Sequence, residues 1–104
     1  MATKSKKKVE EKICFSIEGE LTIYRVSGIR EGISLALDSA SEVEVDLSHV
    51  TEIDGAGVQL LIAAKLDSQV RDKHLHFVGH SQPVREALDL CDLGEFFGDP
   101  VVIH

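Results

Sequence analysis

The amino-acid sequence predicts a small α/β domain with a mostly parallel, mixed sheet of four or five strands and helices mainly on one face. Its 104 residues suffice for a single domain. Segments with the two-residue period of strands alternate with segments of helical period, which indicates parallel strand pairing after an initial hairpin. Every predicted strand alternates apolar and polar residues, whereas a strand buried on both faces would be continuously apolar. One face of the sheet is therefore expected to contact water.

The first predicted strand covers residues 13–18, where apolar residues alternate with more polar ones. Residues 19–20 offer a turn and residues 21–23 continue the alternation, so either a hairpin or a bulged continuation of the strand is expected. From Tyr24 onward apolar residues recur every three or four positions, which predicts a first helix that ends near Ser39.

The third strand is predicted at residues 43–47, and a loop follows it over residues 48–57. A second helix is predicted after the loop, because apolar residues recur at every fourth position. It is expected to end near Lys73. If this row forms the buried face, either Leu60 or Leu61 lies near the surface; the alternative is a wider buried stripe that includes both. The row consists of Val58, Ile62, Leu66 and Val70.

A fourth strand is predicted at residues 74–79, and a third helix follows it. Ser81 is suited to cap this helix, and Pro83 falls within its first turn, where a missing N–H costs nothing. Gly94 is expected to end the helix, and later apolar residues are expected to cover the end of the core. The predicted apolar residues of the helix are Val84, Ala87, Leu88 and Cys91, and those covering the core are Phe96, Phe97, Val101, Val102 and Ile103.

Charge is unevenly distributed along the chain, whose formal net charge is −7. Residues 1–12 contain five lysines and two glutamates, whereas residues 13–104 contain 6 basic and 16 acidic side chains. We predict a flexible basic tail over residues 1–12 and one folded domain over residues 13–104. Nucleic acid is not an expected partner, because proteins that bind it present a basic face.

No segment is suited to membrane insertion or secretion. The longest apolar run, residues 60–64, is far shorter than the roughly 20 residues that span a bilayer. The N-terminal lysines are followed by Val9 and two glutamates rather than by an apolar stretch. We therefore expect a cytoplasmic location, with Cys14 and Cys91 as free thiols.

The segment that joins the third predicted strand to the second helix is the most informative part of the sequence. Asp54 is placed to cap the helix, and Gly55 and Gly57 permit close approach or a positive φ. Unpaired backbone N–H groups and the positive end of the helix dipole can hold an anion at such a place, including a phosphate on a side chain. A tight, capped turn without a ligand explains the same residues.

Taken together, three segments resemble a STAS domain, the module shared by bacterial anti-sigma-factor antagonists and the cytoplasmic tails of sulfate transporters. The segments are Gly-Glu-Leu-Thr-Ile-Tyr at residues 19–24, Val-Asp-Leu-Ser at residues 45–48 and Glu-Ile-Asp-Gly-Ala-Gly-Val-Gln-Leu-Leu at residues 52–61. They occur in the order and spacing of the family, and the similarity covers residues 13–104. Each segment alone would be weak evidence.

The resemblance implies that the residue after Asp54 occupies the position of a Ser or Thr phosphoacceptor, whose phosphate blocks binding to a kinase that is also an anti-sigma factor. In this chain that residue is Gly55, and Gly57 matches the glycine of the family. Glycine has no hydroxyl, so the usual switch, which adds about −1.5 to −2 charges, cannot operate there. Ser48 and Thr51 are the nearest hydroxyls and are either alternative acceptors or ordinary loop residues.

The resemblance also implies a docking surface on the turn and the following helix. The function expected from it is non-catalytic protein binding, as in an anti-sigma-factor antagonist that controls bacterial transcription by partner switching. The expected partner is a serine kinase that acts as an anti-sigma factor, or another regulatory ATPase. The predicted partner-binding residues are Asp54, Gly55, Ala56, Gly57, Gln59, Leu60 and Leu61.

Two other roles suit the same residues. One is an accessory subunit of the ATPase of an ABC-type lipid transporter, which co-purification with that ATPase would indicate. The other is a signalling adaptor for chemotaxis or two-component proteins, which binding to a histidine kinase would indicate.

Catalysis, metals and cofactors are not expected. The chain lacks a Gly-x-Gly-x-x-Gly motif, a phosphate-binding loop and a nucleophile elbow. His74 and His76 share a strand face, but no third ligand has matching spacing, so these residues and His80 are expected to be solvated. His49 does not directly precede a helix, which argues against a phosphohistidine carrier.

Overall fold

The computed structural model describes residues 10–91, in which three strands alternate with three helices. The strands form one sheet in the order β1-β2-β3, and both neighbouring pairs are parallel. The predicted count of four or five strands and the mixed sheet are therefore not confirmed in this part of the chain. The elements are β1 (Glu10–Leu21), α1 (Val26–Ser39), β2 (Ala40–Ile53), α2 (Gly55–Val70), β3 (His74–Val78) and α3 (Gln82–Leu90).

The first strand is one bulged strand and not a hairpin. It pairs with β2 along its length, with register shifts on both sides of the Glu18–Gly19 pair, and Gly19 has a φ of +83°. The Nη1 atom of Arg25 donates to the carbonyl oxygens of Glu18 and Glu20 at 2.6 and 2.7 Å. The bulged continuation is thus confirmed, and the hairpin is wrong. Residues 10–12 belong to this strand rather than to the predicted tail, and residues 1–9 lie outside the described residues.

The second strand is longer than its alternation predicts. The sequence predicts a loop from residue 48, but residues 48–53 continue β2, and only Asp54 separates this strand from α2. Ser48 and His49 are both exposed, which interrupts the alternation, and Val50 then returns to the core. The pairing continues past the interruption because the bulged end of β1 supplies partners for it.

Buried residues of all three strands and all three helices form a single core. The opposite face of the sheet is polar. It carries ion pairs between Lys12 and Glu44, at 2.8 Å, and between Glu42 and His76, at 3.1 Å, the latter charged only when the histidine is protonated. One covered and one hydrated face are what the alternating strands predict.

The buried face of α2 differs from the predicted row. Leu66 is 46 % exposed and Val70 is 85 % exposed, whereas Leu60 and Leu61 are both buried. The helix packs against α1 as well as the sheet, so its buried stripe is wider than one row and turned away from Leu66. The expectation that Leu60 or Leu61 lies near the surface is therefore wrong, and the wide stripe is confirmed.

The third helix begins as its sequence indicates. The Ser81 side chain accepts from the backbone N–H of Val84 at 3.5 Å, and a proline lies in the first turn. Val84 and Leu88 are buried, whereas Cys91 is exposed and, like Cys14, a free thiol. Gly94 and the apolar residues predicted to cover the core lie outside the described residues.

The histidines near β3 fall into two groups. His74 is exposed and His76 is partly exposed, with parallel rings whose centroids are 6.5 Å apart. His80 is buried, so the prediction that it is solvated is wrong. It lies in the turn between β3 and α3, where Arg85 donates to its carbonyl oxygen at 2.9 Å. Within residues 10–91, no helix is long and apolar enough to cross a membrane.

Replacing Leu61 by alanine should lower the free energy of unfolding by about 2–5 kcal/mol, because the side chain is fully buried. The matched substitution Leu66→Ala should lower it by about 1 kcal/mol or less, because Leu66 is half exposed. Urea unfolding of the two variants measures this difference. Equal losses would favour the row predicted from the sequence over the observed stripe.

Candidate partner-binding site

The carboxylate of Asp54 joins the start of α2 to the segment that follows β1. Its Oδ1 atom accepts from the backbone N–H of Gly57 at 2.9 Å, and its Oδ2 atom accepts from the backbone N–H of Ile23 at 3.0 Å. The backbone N–H of Asp54 donates to the carbonyl oxygen of Leu21 at 3.3 Å. Asp54 is therefore the helix cap that the sequence predicts, and it also makes a long-range bond that the sequence does not predict.

These donors stabilise the ionised form of Asp54. The backbone N–H of Ile23, followed by those of Gly57 and Ala56, holds the pKa of the carboxyl group below its usual range. The side chain thus places a negative charge at the positive end of the α2 dipole. An additional anion would meet this charge, which disfavours an anion-binding role for the turn in this chain.

Gly55 is the first residue of α2, and it is exposed. A Cβ atom built on it would meet nothing within 4 Å. Packing therefore does not require glycine at this position, and a small side chain would project from the first turn without displacing its neighbours.

Gly57, in contrast, is required by packing. A Cβ atom there would overlap the carbonyl oxygen of Leu21 and lie 2.9 Å from Cγ1 of Ile53. The first turn of α2 thus approaches the ends of β1 and β2 so closely that only glycine fits.

The predicted partner-binding residues divide into a surface group and a buried group. Gly55 and Gln59 are exposed, and Asp54 and Ala56 are partly exposed. Gly57, Leu60 and Leu61 are buried, so they lie beneath the exposed residues of the turn.

Two exposed apolar residues, Ile23 and Tyr24, are not evident as surface residues from the sequence. Ile23 is 60 % exposed and Tyr24 is 89 % exposed, and the hydrogen bond between Ile23 and Asp54 places Ile23 next to the α2 turn, with Tyr24 following it in the chain. Their positions in the sequence fit the end of a strand and the start of a helix, which conceals their exposure. Gly55 and Gln59 are exposed residues at the start of α2. We call Ile23, Tyr24, Gly55 and Gln59 the α2-turn surface.

The alternative hydroxyls lie outside the α2-turn surface. Ser48 and Thr51 are exposed residues of β2, and neither begins a helix. The backbone N–H of Ser48 donates to Oδ1 of Asp46 at 2.9 Å, which lowers the pKa of Asp46. Ser48 lies against Gly79, near the start of α3. Over residues 10–91, no three histidine, cysteine, aspartate or glutamate side chains are placed to hold a metal ion.

Replacing Gly57 by alanine should lower the free energy of unfolding by about 1–3 kcal/mol, because the new methyl group overlaps the Leu21 carbonyl oxygen. The control substitution Gly55→Ala should leave it unchanged or raise it by up to about 1 kcal/mol, because its methyl group enters open space in a helix. Urea unfolding measures both variants. Equal tolerance of alanine at the two positions would contradict the close approach at Gly57.

Replacing Asp54 by asparagine should lower the urea midpoint at neutral pH, because the charge that complements the α2 dipole is lost. The stabilisation by Asp54 is complete above the ordinary aspartate pKa of about 4 and is lost as the pH falls through its lower pKa in the folded chain. The difference in urea midpoint between the wild type and this variant should therefore become smaller in acid. Asp89→Asn is the control, because Asp89 is an exposed aspartate on α3. A gap that widens in acid would contradict the assignment.

Solved structures of STAS proteins resemble this fold. The anti-sigma factor antagonist SpoIIAA in its unphosphorylated form has a TM-score of 0.70 and 21 % identity, over 89 % of this chain and 83 % of that one. An anti-sigma factor antagonist from Mycobacterium paratuberculosis has a TM-score of 0.74 and 18 % identity, over 92 % and 82 %. The STAS domain of the SulP transporter from Vibrio cholerae has a TM-score of 0.66 and 17 % identity, over 88 % and 74 %.

These identities establish similarity of fold alone. No curated protein matches the chain. The sequence model of the family described as "Mlab, STAS domain" matches residues 5–102, which is nearly the whole chain. The agreement of this match with the α/β architecture and the capped α2 turn shows that the chain belongs to the STAS domain family.

Proposed function

We propose that this chain is a protein-binding regulatory domain whose role resembles that of an anti-sigma factor antagonist, and that its binding is not switched by phosphorylation at residue 55. STAS domains are generally non-catalytic regulatory or binding domains. The observation that carries the proposal is the exposed glycine at the start of α2, where a side chain would fit but no hydroxyl is present. The proposed setting is the bacterial cytoplasm.

The α2-turn surface suits protein recognition. Ile23 and Tyr24 expose apolar side chains, and aromatic residues of this kind often anchor protein interfaces. The hydrogen bonds of Asp54 and the close packing of Gly57 fix the backbone beneath them. Because the surface is held in place before binding, a partner loses little free energy in ordering it.

A second candidate role is that of an accessory subunit bound to the ATPase of an ABC-type lipid transporter. The resemblance to the STAS domain of a SulP transporter supports it, because that domain is part of a transport protein. Both candidates use the same surface and differ in the partner that covers it, either a serine kinase that acts as an anti-sigma factor or a transporter ATPase.

The decisive substitution is Gly55→Ser, with Gly55→Ala as its control. We expect the wild type and both variants to capture the same serine kinase from native cells. On addition of ATP, only Gly55→Ser should be phosphorylated at residue 55, and its affinity for the kinase should fall at least roughly tenfold, because the phosphate adds about two negative charges to the interface. Mass spectrometry locates the phosphate, and calorimetry measures the affinity.

Four results would contradict the proposed role. Capture of a transporter ATPase instead of a kinase would establish the second candidate, and capture of chemotaxis or two-component proteins would establish an adaptor. Phosphorylation of wild-type Ser48 or Thr51 with release of the kinase would restore a switch at another residue. If Gly55→Ala lost the kinase as well, a side chain at this position, and not its phosphate, would be what disrupts binding.

A further inference from the structure

A groove runs along the surface between α1 and α2. It consists of two adjoining cavities of about 310 and 270 Å³, and both are lined by Arg30 and Ala63. The first cavity begins at Ala56, the neighbour of Gly55, so the groove continues from the α2-turn surface. The first cavity is also lined by Val26, Gln59 and Leu60. The second cavity is also lined by Ile33, Ser34, Ala64, Asp67 and Arg71.

Arg30 differs from the other basic residues between residues 10 and 91. It is exposed, and it is the only lysine or arginine of this part of the chain that makes no hydrogen bond or ion pair with another described residue. The other basic side chains donate to backbone carbonyl oxygens or pair with carboxylates; they are Lys12, Arg25, Lys65, Arg71, Lys73 and Arg85.

Of the two arginines that line the groove, only Arg30 has no acidic partner among the described residues. Arg71 lies in the second cavity, but it pairs with Asp38 at 2.6 Å and with Asp67 at 3.1 Å. Acidic residues outnumber basic ones over residues 13–104, 16 to 6. The body of the chain thus repels anionic groups in general, and Arg30 offers them a local exception.

We propose that the groove between α1 and α2 binds an acidic segment of a partner protein, with a carboxylate of the partner on Arg30. A guanidinium group presents two parallel N–H donors that match the two oxygens of a carboxylate. Ala56 and Ala63 leave room for an apolar side chain of the partner over Leu60. This inference rests on the proposed function, because it names the chemistry of the segment that the partner supplies.

Arg30, the one basic side chain of residues 10–91 without a partner among them, favours a protein segment over a nucleic acid. Binding to nucleic acid depends on several lysines and arginines that neutralise successive phosphates. One carboxylate flanked by apolar side chains instead matches one guanidinium group flanked by alanines and a leucine. The charge complementarity is therefore with an acidic, apolar peptide.

The test uses the full chain and a display library of random 16-residue peptides, so that it does not depend on a native partner. We expect the wild type to enrich peptides that carry Asp or Glu next to apolar residues. Arg30→Glu should bind them at least tenfold more weakly. Lys12→Glu is the matched control, because it makes the same change in charge on the opposite, hydrated face of the sheet, and it should bind as the wild type does.

A second measurement tests the contact between the two charged groups. The enriched peptide is synthesised with its acidic residue changed to the amide, or to lysine, and binding is followed by fluorescence anisotropy. The amide should bind the wild type about tenfold more weakly and should bind Arg30→Glu with little change. The lysine peptide should regain affinity for Arg30→Glu. Urea midpoints of the variants confirm that they remain folded.

Several outcomes would overturn the inference. They include the absence of enrichment, enriched peptides without acidic residues, and equal binding by Arg30→Glu. Tighter peptide binding by the triple variant Asp92→Asn, Glu95→Gln and Asp99→Asn would show that the C-terminal segment occupies the groove. A wild-type dimer that Arg30→Glu dissociates in sedimentation experiments would show that a second copy does. A wild-type chain that selects acidic peptides but captures no kinase would refute the proposed function and retain the groove.

Discussion

The hydrogen bonds of one carboxylate join the first turn of α2 to the segment that follows β1. Asp54 lies where β2 ends and α2 begins, and it accepts from Ile23 on one side and from Gly57 on the other. The backbone N–H of Asp54 adds a third bond, to the carbonyl oxygen of Leu21 at the end of β1. The exposed apolar side chains beside the turn and the entrance of the α1–α2 groove therefore depend on a residue that is itself only partly exposed.

Two glycines in the same helical turn show how differently the fold and the function constrain a sequence. The carbonyl oxygen of Leu21 excludes any side chain at residue 57, so the fold alone accounts for the glycine there. Residue 55 faces open space, so the fold does not require glycine there. Between them, Ala56 lines the groove. One turn thus combines a position that packing restricts to glycine with a position that packing leaves open.

Local signals predicted the parts of this fold that depend on local interactions. Ser81 and Pro83 mark the start of α3 correctly, because capping and first-turn geometry involve neighbours in sequence. The extension of β2 to Ile53 was not predicted, since it depends on strand partners supplied by the bulged end of β1. The exposure of Leu66 was missed because the orientation of α2 is set by both α1 and the sheet. At the site, the role of Asp54 as the cap of α2 was predictable from the sequence, whereas its hydrogen bond with Ile23, 31 positions away, was not.

The close approach of Gly57 to β1 limits how the start of α2 can move relative to the sheet. The start of α2 has no clearance along the sheet, since the Leu21 carbonyl oxygen lies against it and also accepts from Asp54. A helix held in this way cannot slide or rotate in response to a bound protein without first breaking its contacts with the strands. In the proposed function, a partner therefore recognises the shape and charge of the outer surface, over a start of α2 that its contacts with the strands hold in place.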